Sequence, residues 1–410
     1  MTQQEAINKM LSGANIFLTG EPGAGKTYTL NQFIEQAREM HKEIAVTAST
    51  GIAASHIDGM TIHSWSGLGI KDSIRDDEID RMSWQPAMVE KYNVPDILII
   101  DEISMLHGSR LDMVNRVAQW LRRSKKPFGG LQVIFVGDLF QLPPVTKGST
   151  EIDYVHLSES WKAAAPEICY LTEQHRQGAD DALLDILREM RNGNISPANA
   201  EALNARIGKM PEDEDGITRL FTHNVDVDAL NRGMLAKIDL PVQKFYMRSS
   251  GDPYKVAVMK RNLLCPETLE LKIGAEVMFC ANNFDEGFVN GTRAKVLRFS
   301  NNGNPVVLTT DGAEIAVLEH TWRQFNDHGH EVASLTQYPL RLAWAVTVHK
   351  SQGLSLDAAL IDLSQAFTPG MGYVALSRVR SLEGLYLKGM NDQALLMDQD
   401  IAKFDKELKK

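Results

Sequence analysis

The segment Gly20-Glu21-Pro22-Gly23-Ala24-Gly25-Lys26-Thr27 narrows the fold of this 410-residue chain more than any other feature. It matches the spacing GxxxxGK[ST] and stands between the apolar run Ile16-Phe17-Leu18-Thr19 and a helical pattern over 27–39. Glycines let a backbone wrap an anion, so that its N–H groups and the start of the following helix converge on phosphate. Lys26 adds a mobile positive charge and Thr27 a hydroxyl suited to magnesium. A glycine-rich turn without a ligand is the plainer reading, but the strand before it and the helix after it argue against that. ATP and Mg2+ are the expected ligands, with Gly20, Gly23, Gly25, Lys26 and Thr27 around the phosphates. A loop of this kind needs a parallel sheet to carry it, and the class is α/β.

Ile97-Leu98-Ile99-Ile100-Asp101-Glu102 reads as a buried strand ending in two carboxylates. In parallel sheets the carboxyl ends of the strands face the ligand. Asp101 can hold magnesium and Glu102 can orient and deprotonate an attacking water. A capping Asp-Glu pair before a helix is the alternative, and the phosphate loop weighs against it. Loop and acidic pair together give an NTPase of unspecified purpose, because small phosphotransferases use the same loop.

Further short apolar runs at 44–47, 133–136, 220–222 and 358–363 read as parallel strands, with helical patterns over 27–39 and 111–122. From about 269 to 338 the texture changes to segments at 276–280, 293–299, 305–310 and 314–318, separated by Asn-Gly and Asp-Gly turns. This reads as a small β-barrel insert. The acidic turn Glu212-Asp213-Glu214-Asp215-Gly216 has linker character. No apolar stretch approaches the roughly 18 residues of a membrane span, and no basic segment with a long apolar core opens the chain. Cys169, Cys265 and Cys280 show no paired metal-ligand spacing, so a reducing cytoplasm is expected, including that of a host if the chain is viral. The net charge of −10 excludes indiscriminate attraction to nucleic acid, so any DNA contact has to be local.

Beyond the acidic pair come Gly137-Asp138-Leu139-Phe140-Gln141-Leu142-Pro143-Pro144 and Gln174-His175-Arg176-Gln177. Far downstream lie Thr347-Val348-His349-Lys350-Ser351-Gln352-Gly353 and Tyr373-Val374-Ala375-Leu376-Ser377-Arg378. With Gln3-Gln4-Glu5-Ala6, the run 48–54 and Gly59-Met60-Thr61-Ile62-His63-Ser64, these resemble superfamily 1 DNA helicases, in particular the PIF helicase family and its RecD-like and Dda-like relatives. The stretch Lys126-Pro127-Phe128-Gly129-Gly130-Leu131-Gln132 resembles the PIF branch most.

The resemblance covers about residues 1–390. It implies two RecA-like P-loop NTPase domains in tandem, with a Src-homology-like β-barrel insert in the second and a short wedge insert at about 67–95 in the first. The implied boundaries are 1–165 for the first domain, 166–262 and 339–410 for the two parts of the second, and 263–338 for the barrel. ATP would lie in a cleft with the loop and acidic pair on one wall and Arg176 and Arg378 on the other. Gln3 would read adenine, Gln141 and Gln352 would sense the γ-phosphate, and Gly353 would lie beside the nucleotide. Thr61 and His63 on the first domain and Thr347 and His349 on the second would track single-stranded DNA.

The implied activity is an ATP-dependent DNA helicase moving 5′ to 3′ on single strands and acting on forked or tailed duplex. The alternative is a DNA-stimulated translocase that remodels protein–DNA complexes without efficient unwinding, which the short wedge segment motivates. A phosphotransferase acting on a small acceptor is a third reading, opposed by the second-wall arginines and glutamines. One chain supplies both walls, so a monomer is expected, with no membrane association and with protein partners left undefined. Trp65 is open between a base-stacking platform and a core side chain. Arg122-Arg123-Ser124-Lys125-Lys126 and the tail 403–410 read as solvated helix ends rather than nucleic-acid patches.

Overall fold

The computed structural model describes residues 1–410 except 58, 70, 72, 145–151, 174–180, 212–216, 282, 284–285, 289–290, 311, 326–330, 353, 355 and 410. The chain divides into two compact units. The first comprises 1–204, 366–382 and 391–410, and the second 205–365 and 383–390.

The first unit is built on a six-stranded sheet: β1 (Ile16–Gly20), β2 (Ile44–Ala48), β3 (Met60–Thr61), β4 (Ile97–Asp101), β5 (Gln132–Val136) and β6 (Glu167–Leu171), in the order β3-β2-β4-β5-β1-β6. All pairings are parallel. β1 and β4 are buried along their whole length because helices cover both faces, which explains their unbroken apolar runs. Ile16 and Leu18 face Leu30 and Phe33 of the helix Lys26–Glu39, while Phe17 points the other way to the Trp161 ring, 5.0 Å away. Each such side chain contributes roughly 1.5–3 kcal/mol on burial. β6 lies past the boundary expected at residue 165 and pairs with β1 along five residues, so it extends the first sheet.

The segment 67–95 carries two short helices, Asp76–Ser83 and Pro86–Asn93, tied to the helix Gly108–Leu121 by the Arg116–Asp76 ion pair. Arg122 does not stand free in solvent at the end of that helix. Its Nε donates to Gly129 O at 3.0 Å and its Nη1 to Tyr92 O at 2.5 Å, which fixes the turn between helix and β5.

The tail also departs from expectation. It forms the helix Gln399–Leu408, capped by Asp398, and Ile401 and Asp405 one turn apart are buried against the rest of the unit. Phe404 stacks on His156 at 4.3 Å, and His156 Nδ1 is buried without a hydrogen-bond partner. Burial pushes this imidazole down to about 4, with Asp398 and Asp400 opposing. The unfolded chain therefore takes up the proton first as pH falls. The native state loses stability from the ordinary histidine value down to about 4, and nothing is lost above that window. His156→Phe is expected to leave the melting temperature unchanged at pH 8 and to recover up to about 3 kcal/mol of stability at pH 4. Denaturant titrations at the two pH values check this, and equal responses of wild type and variant would contradict it.

In the second unit β7 (Thr218–Phe221) is followed by the β-rich stretch β8 (Gln243–Tyr246), β9 (Arg248–Gly251), β10 (Thr268–Leu271), β11 (Glu276–Phe279), β12 (Arg293–Phe299), β13 (Pro305–Thr309), β14 (Glu314–Ala316), β15 (His320–Phe325), β16 (Glu331–Gln337) and β17 (Leu340–Leu342). β18 (Ala345–Thr347), β19 (Ala359–Leu363) and β20 (Leu385–Met390) then complete a parallel sheet in the order β18-β7-β19-β20. The β-rich stretch forms three antiparallel sheets, β14-β13-β12-β11-β17, β10-β8 and β15-β16-β9. It begins earlier and ends later than 263–338, because β8, β9 and β17 are short strands whose pairing partners lie inside it. Leu269, Val277, Phe279, Val296, Val307 and Leu340 are among its core residues. Among the described residues no helix is long and apolar enough to cross a membrane, and no group of His, Cys, Asp and Glu could hold a metal unaided. The three cysteines are free and buried.

Candidate functional site

β4, β5 and β1 are neighbours in the first sheet, so their carboxyl ends bring Asp101-Glu102, Gly137-Asp138 and the glycine loop together. Gly23 and Gly25 have φ of +85° and +80°, backbone that only glycine adopts without strain, and this curls the loop over the start of the helix Lys26–Glu39. Lys26 Nζ donates to Gly20 O at 2.9 Å and Glu21 O at 3.2 Å. Burial lowers the Lys26 pKa, while Asp138, Glu102 and Asp101 pull it back up. Thr27 is exposed at the second position of the helix.

Burial, reinforced by Glu102, raises the Asp101 pKa. Asp101 Oδ1 accepts from the Glu102 N–H at 2.8 Å. A carboxyl that burial drives towards its neutral form is one that a divalent cation would return to the ionised state, so the donor set fits magnesium. Glu102 has φ of +48°, a left-handed conformation rare for a side-chain-bearing residue, and its carbonyl is held by Ser49 Oγ at 2.6 Å. Its Oε2 is buried without a hydrogen-bond partner. Burial raises the Glu102 pKa, with Lys26 and then Arg378 working against it. A buried, unpartnered carboxylate oxygen that feels two cations can seat a water and take the proton it gives up.

Arg378 reaches this place from the segment 366–382, which belongs to the first unit. It is 5% exposed and follows the buried helix Met371–Leu376, where Nε donates to Val374 O at 2.9 Å and Nη2 to Ser377 Oγ at 2.7 Å. Burial lowers its pKa and Glu102 is the foremost group opposing that, so its charge lies within reach of the Glu102 carboxylate. Three groups inside the same unit escaped the sequence reading: Asp138, Arg191 and Tyr373 join in a buried hydrogen-bonded cluster. Asp138 and Tyr373 lie inside motifs already singled out. Arg191 ends an amphipathic helix, Asp181–Arg191, whose pattern carries no local signal of function.

The other expected positions fall as follows. Gln141 is buried in the turn after β5, its N–H bonded to Asp138 O at 3.0 Å. Gln3 opens the helix Gln3–Leu11, held by a reciprocal cap between Thr2 and Glu5. Arg176 and Gly353 lie outside the described residues. Thr61 ends β3, and its hydroxyl caps the helix Ile62–Trp65 by accepting from Ser64 N at 3.2 Å. His63 follows in that helix, and burial, with Arg110 and His107 nearby, pushes its imidazole down to about 4. It is therefore a neutral hydrogen-bonding group near neutral pH. Trp65 is core, 3% exposed and 4.5 Å from the Tyr92 ring, and offers no face for a base. In the second unit Thr347 is buried at the end of β18, His349 follows in a 3-10 turn, and Gln352 is 6% exposed. Burial, then His223 from the end of β7, lowers the His349 pKa. His223 was missed because its strand and that of His349 lie more than a hundred residues apart.

Residues 2–201 match the family model of the PIF1-like helicase and residues 257–299 that of the 2B domain of the DNA helicase Pif1. The chain is 39% identical to the ATP-dependent DNA helicase Pif1 of Psychrobacter sp., over 97% of its own length and 69% of the relative's. It superposes on the crystal structure of the Pif1 helicase from Candida albicans with a TM-score of 0.87 and 33% identity, covering 99% of this chain and 98% of that one. A Pif1 helicase from Bacteroides crystallised in complex with ADP-AlF3 and single-stranded DNA gives a TM-score of 0.73 at 30% identity, covering 100% and 98%.

Proposed function

The chain belongs to the PIF1-like helicase family, and from that premise we propose that it moves 5′ to 3′ along single-stranded DNA as a monomer, opening duplex with the energy of ATP hydrolysis. The observation that carries the hydrolytic part is the buried, unpartnered Glu102 Oε2 in a site shared with Lys26 and Arg378. The N–H groups of the loop and Lys26 hold the phosphates, Gln3 reads the adenine, and Glu102 accepts the proton of the attacking water. Mg2+, held by Thr27 and Asp101, would neutralise the β- and γ-phosphates. Arg378, with Arg176 as its counterpart, stabilises charge that develops as the γ-phosphate departs. Gln141, Gln352 and Gly353 register whether that phosphate is present.

Thr61 and His63 contact the phosphates of the strand, and so do Thr347 and His349. Neutral imidazoles and hydroxyls bind phosphate without reading sequence, which suits a motor that has to pass every base. Opening one base pair costs on the order of 1.4 kcal/mol of stacking, within the reach of one nucleotide turnover per step. The polarity rests on the family resemblance. Strand displacement is measured on forks with a 5′ or a 3′ tail, at equal enzyme and saturating ATP. Product from the 5′-tailed fork alone is expected. Product from the 3′-tailed fork alone would reverse the polarity. DNA-stimulated ATPase without product on either would instead make the chain a translocase.

A further inference from the structure

Arg191 is buried at 3% exposure and spends its guanidinium on four other parts of the first unit. Nη1 donates to Asp138 Oδ2 at 2.6 Å and to Tyr373 Oη at 2.8 Å. Nη2 donates to Tyr170 Oη at 2.9 Å and to Asp405 Oδ1 at 3.3 Å. Tyr373 Oη in turn donates to Asp138 Oδ2 at 3.1 Å, and the guanidinium carbon lies 4.3 Å from the centre of the Phe140 ring. Lys409 completes the charge balance by pairing with Asp405 at 2.7 Å. Asp138 has no exposed surface and spends its other oxygen, Oδ1, on the Phe140 N–H at 3.1 Å.

Burying an ion pair of this kind contributes little net stability against a packed apolar core, so stability alone is a weak reason for it. What the cluster does contribute is register. Gly370 opens the helix Met371–Leu376 against the turn after β5, so close that a Cβ there would stand 2.6 Å from Phe140 O. Tyr373 lies in the first turn of the helix, and Arg378 leaves its far end, bonded back to Val374 O. Position and rotation of that helix therefore set where the Arg378 guanidinium stands relative to Glu102.

We propose that Arg191, Asp138 and Tyr373 form a positioning device that seats the helix Met371–Leu376 on the end of β5 and thereby aims Arg378 at the hydrolysis site. Its three side chains are hydrogen-bonded to one another. It acts through Arg378, and so rests on the assignment of that arginine made above.

The test uses the whole chain with saturating ATP and single-stranded DNA, and measures hydrolysis for wild type, Tyr373→Phe, Arg378→Ala and the double variant. Tyr373→Phe removes one oxygen and leaves the ring and the Asp138–Arg191 pair. Its kcat is expected to fall about tenfold, equivalent to about 1.4 kcal/mol, with KM for ATP and melting temperature unchanged. On the Arg378→Ala background the same change is expected to cost less than about twofold, because the group it aims is gone. Arg191→Lys, which keeps the charge and loses the fork, should reproduce this pattern. Equal factors in both backgrounds, or a wild-type kcat for Tyr373→Phe, would overturn the proposal while leaving Arg378 in place. A wild-type rate for Arg378→Ala would overturn both the proposal and the arginine assignment beneath it.

Discussion

Replacing Arg378 with alanine is expected to slow DNA-stimulated ATP hydrolysis by about 10³-fold or more, the lower end of what an arginine finger contributes. The expectation follows from where the side chain stands. It is buried, its pKa is held down by desolvation, and the Glu102 carboxylate is the leading group that opposes this. A cation kept in a site of low dielectric acts strongly on charge that develops during reaction, and it needs no reorganisation at that moment. Affinity for ADP should change little, since ADP lacks the phosphate on which that charge develops. Steady-state ATPase and an ADP titration on the same preparation separate the two effects. A rate within threefold of wild type would remove Arg378 from the chemistry.

The second large effect is expected at Glu102. Glu102→Gln keeps the shape and removes the proton acceptor, and should cost about 10²- to 10⁴-fold in kcat while ATP still binds. Burial raises the Glu102 pKa, so the folded protein holds the ionised form at a disadvantage relative to the unfolded chain. A neutral amide escapes that disadvantage, and the melting temperature of Glu102→Gln should equal or exceed that of wild type at pH 8. Lost activity without lost stability marks a group kept for chemistry. A variant that lost both together would mark Glu102 as structural.

What could be read from the sequence was local. The strand 97–101 and its two carboxylates stand together because an apolar run and the acids that end it are contiguous. The glycine loop was legible for the same reason, since its spacing and the elements on either side form one continuous segment. The contributions of 366–382 and 391–410 to the first unit were not legible. Nothing in the pattern of the helix Gln399–Leu408 says that Asp405 meets Arg191 more than two hundred residues away, because such pairing is settled by tertiary packing. The pairing of β6 with β1 was not legible for a related reason: a five-residue strand shows no partner in its own sequence. Trp65 could not be resolved from the sequence because a tryptophan two residues after His63 suits a core and a base stack equally well. Its contact with Tyr92 decides the matter.

Under the proposed function, Lys26, Glu102 and Arg378 form one hydrolytic site that single-stranded DNA switches on. The decisive experiment is a rapid-quench measurement of one turnover of ATP, with wild type and Glu102→Gln, each with and without single-stranded DNA. Wild type should hydrolyse bound ATP far faster with the strand present, and Glu102→Gln should retain ATP unhydrolysed in both conditions. ATP cleaved at the same rate by both proteins, or by wild type without regard to DNA, would rule out such a site.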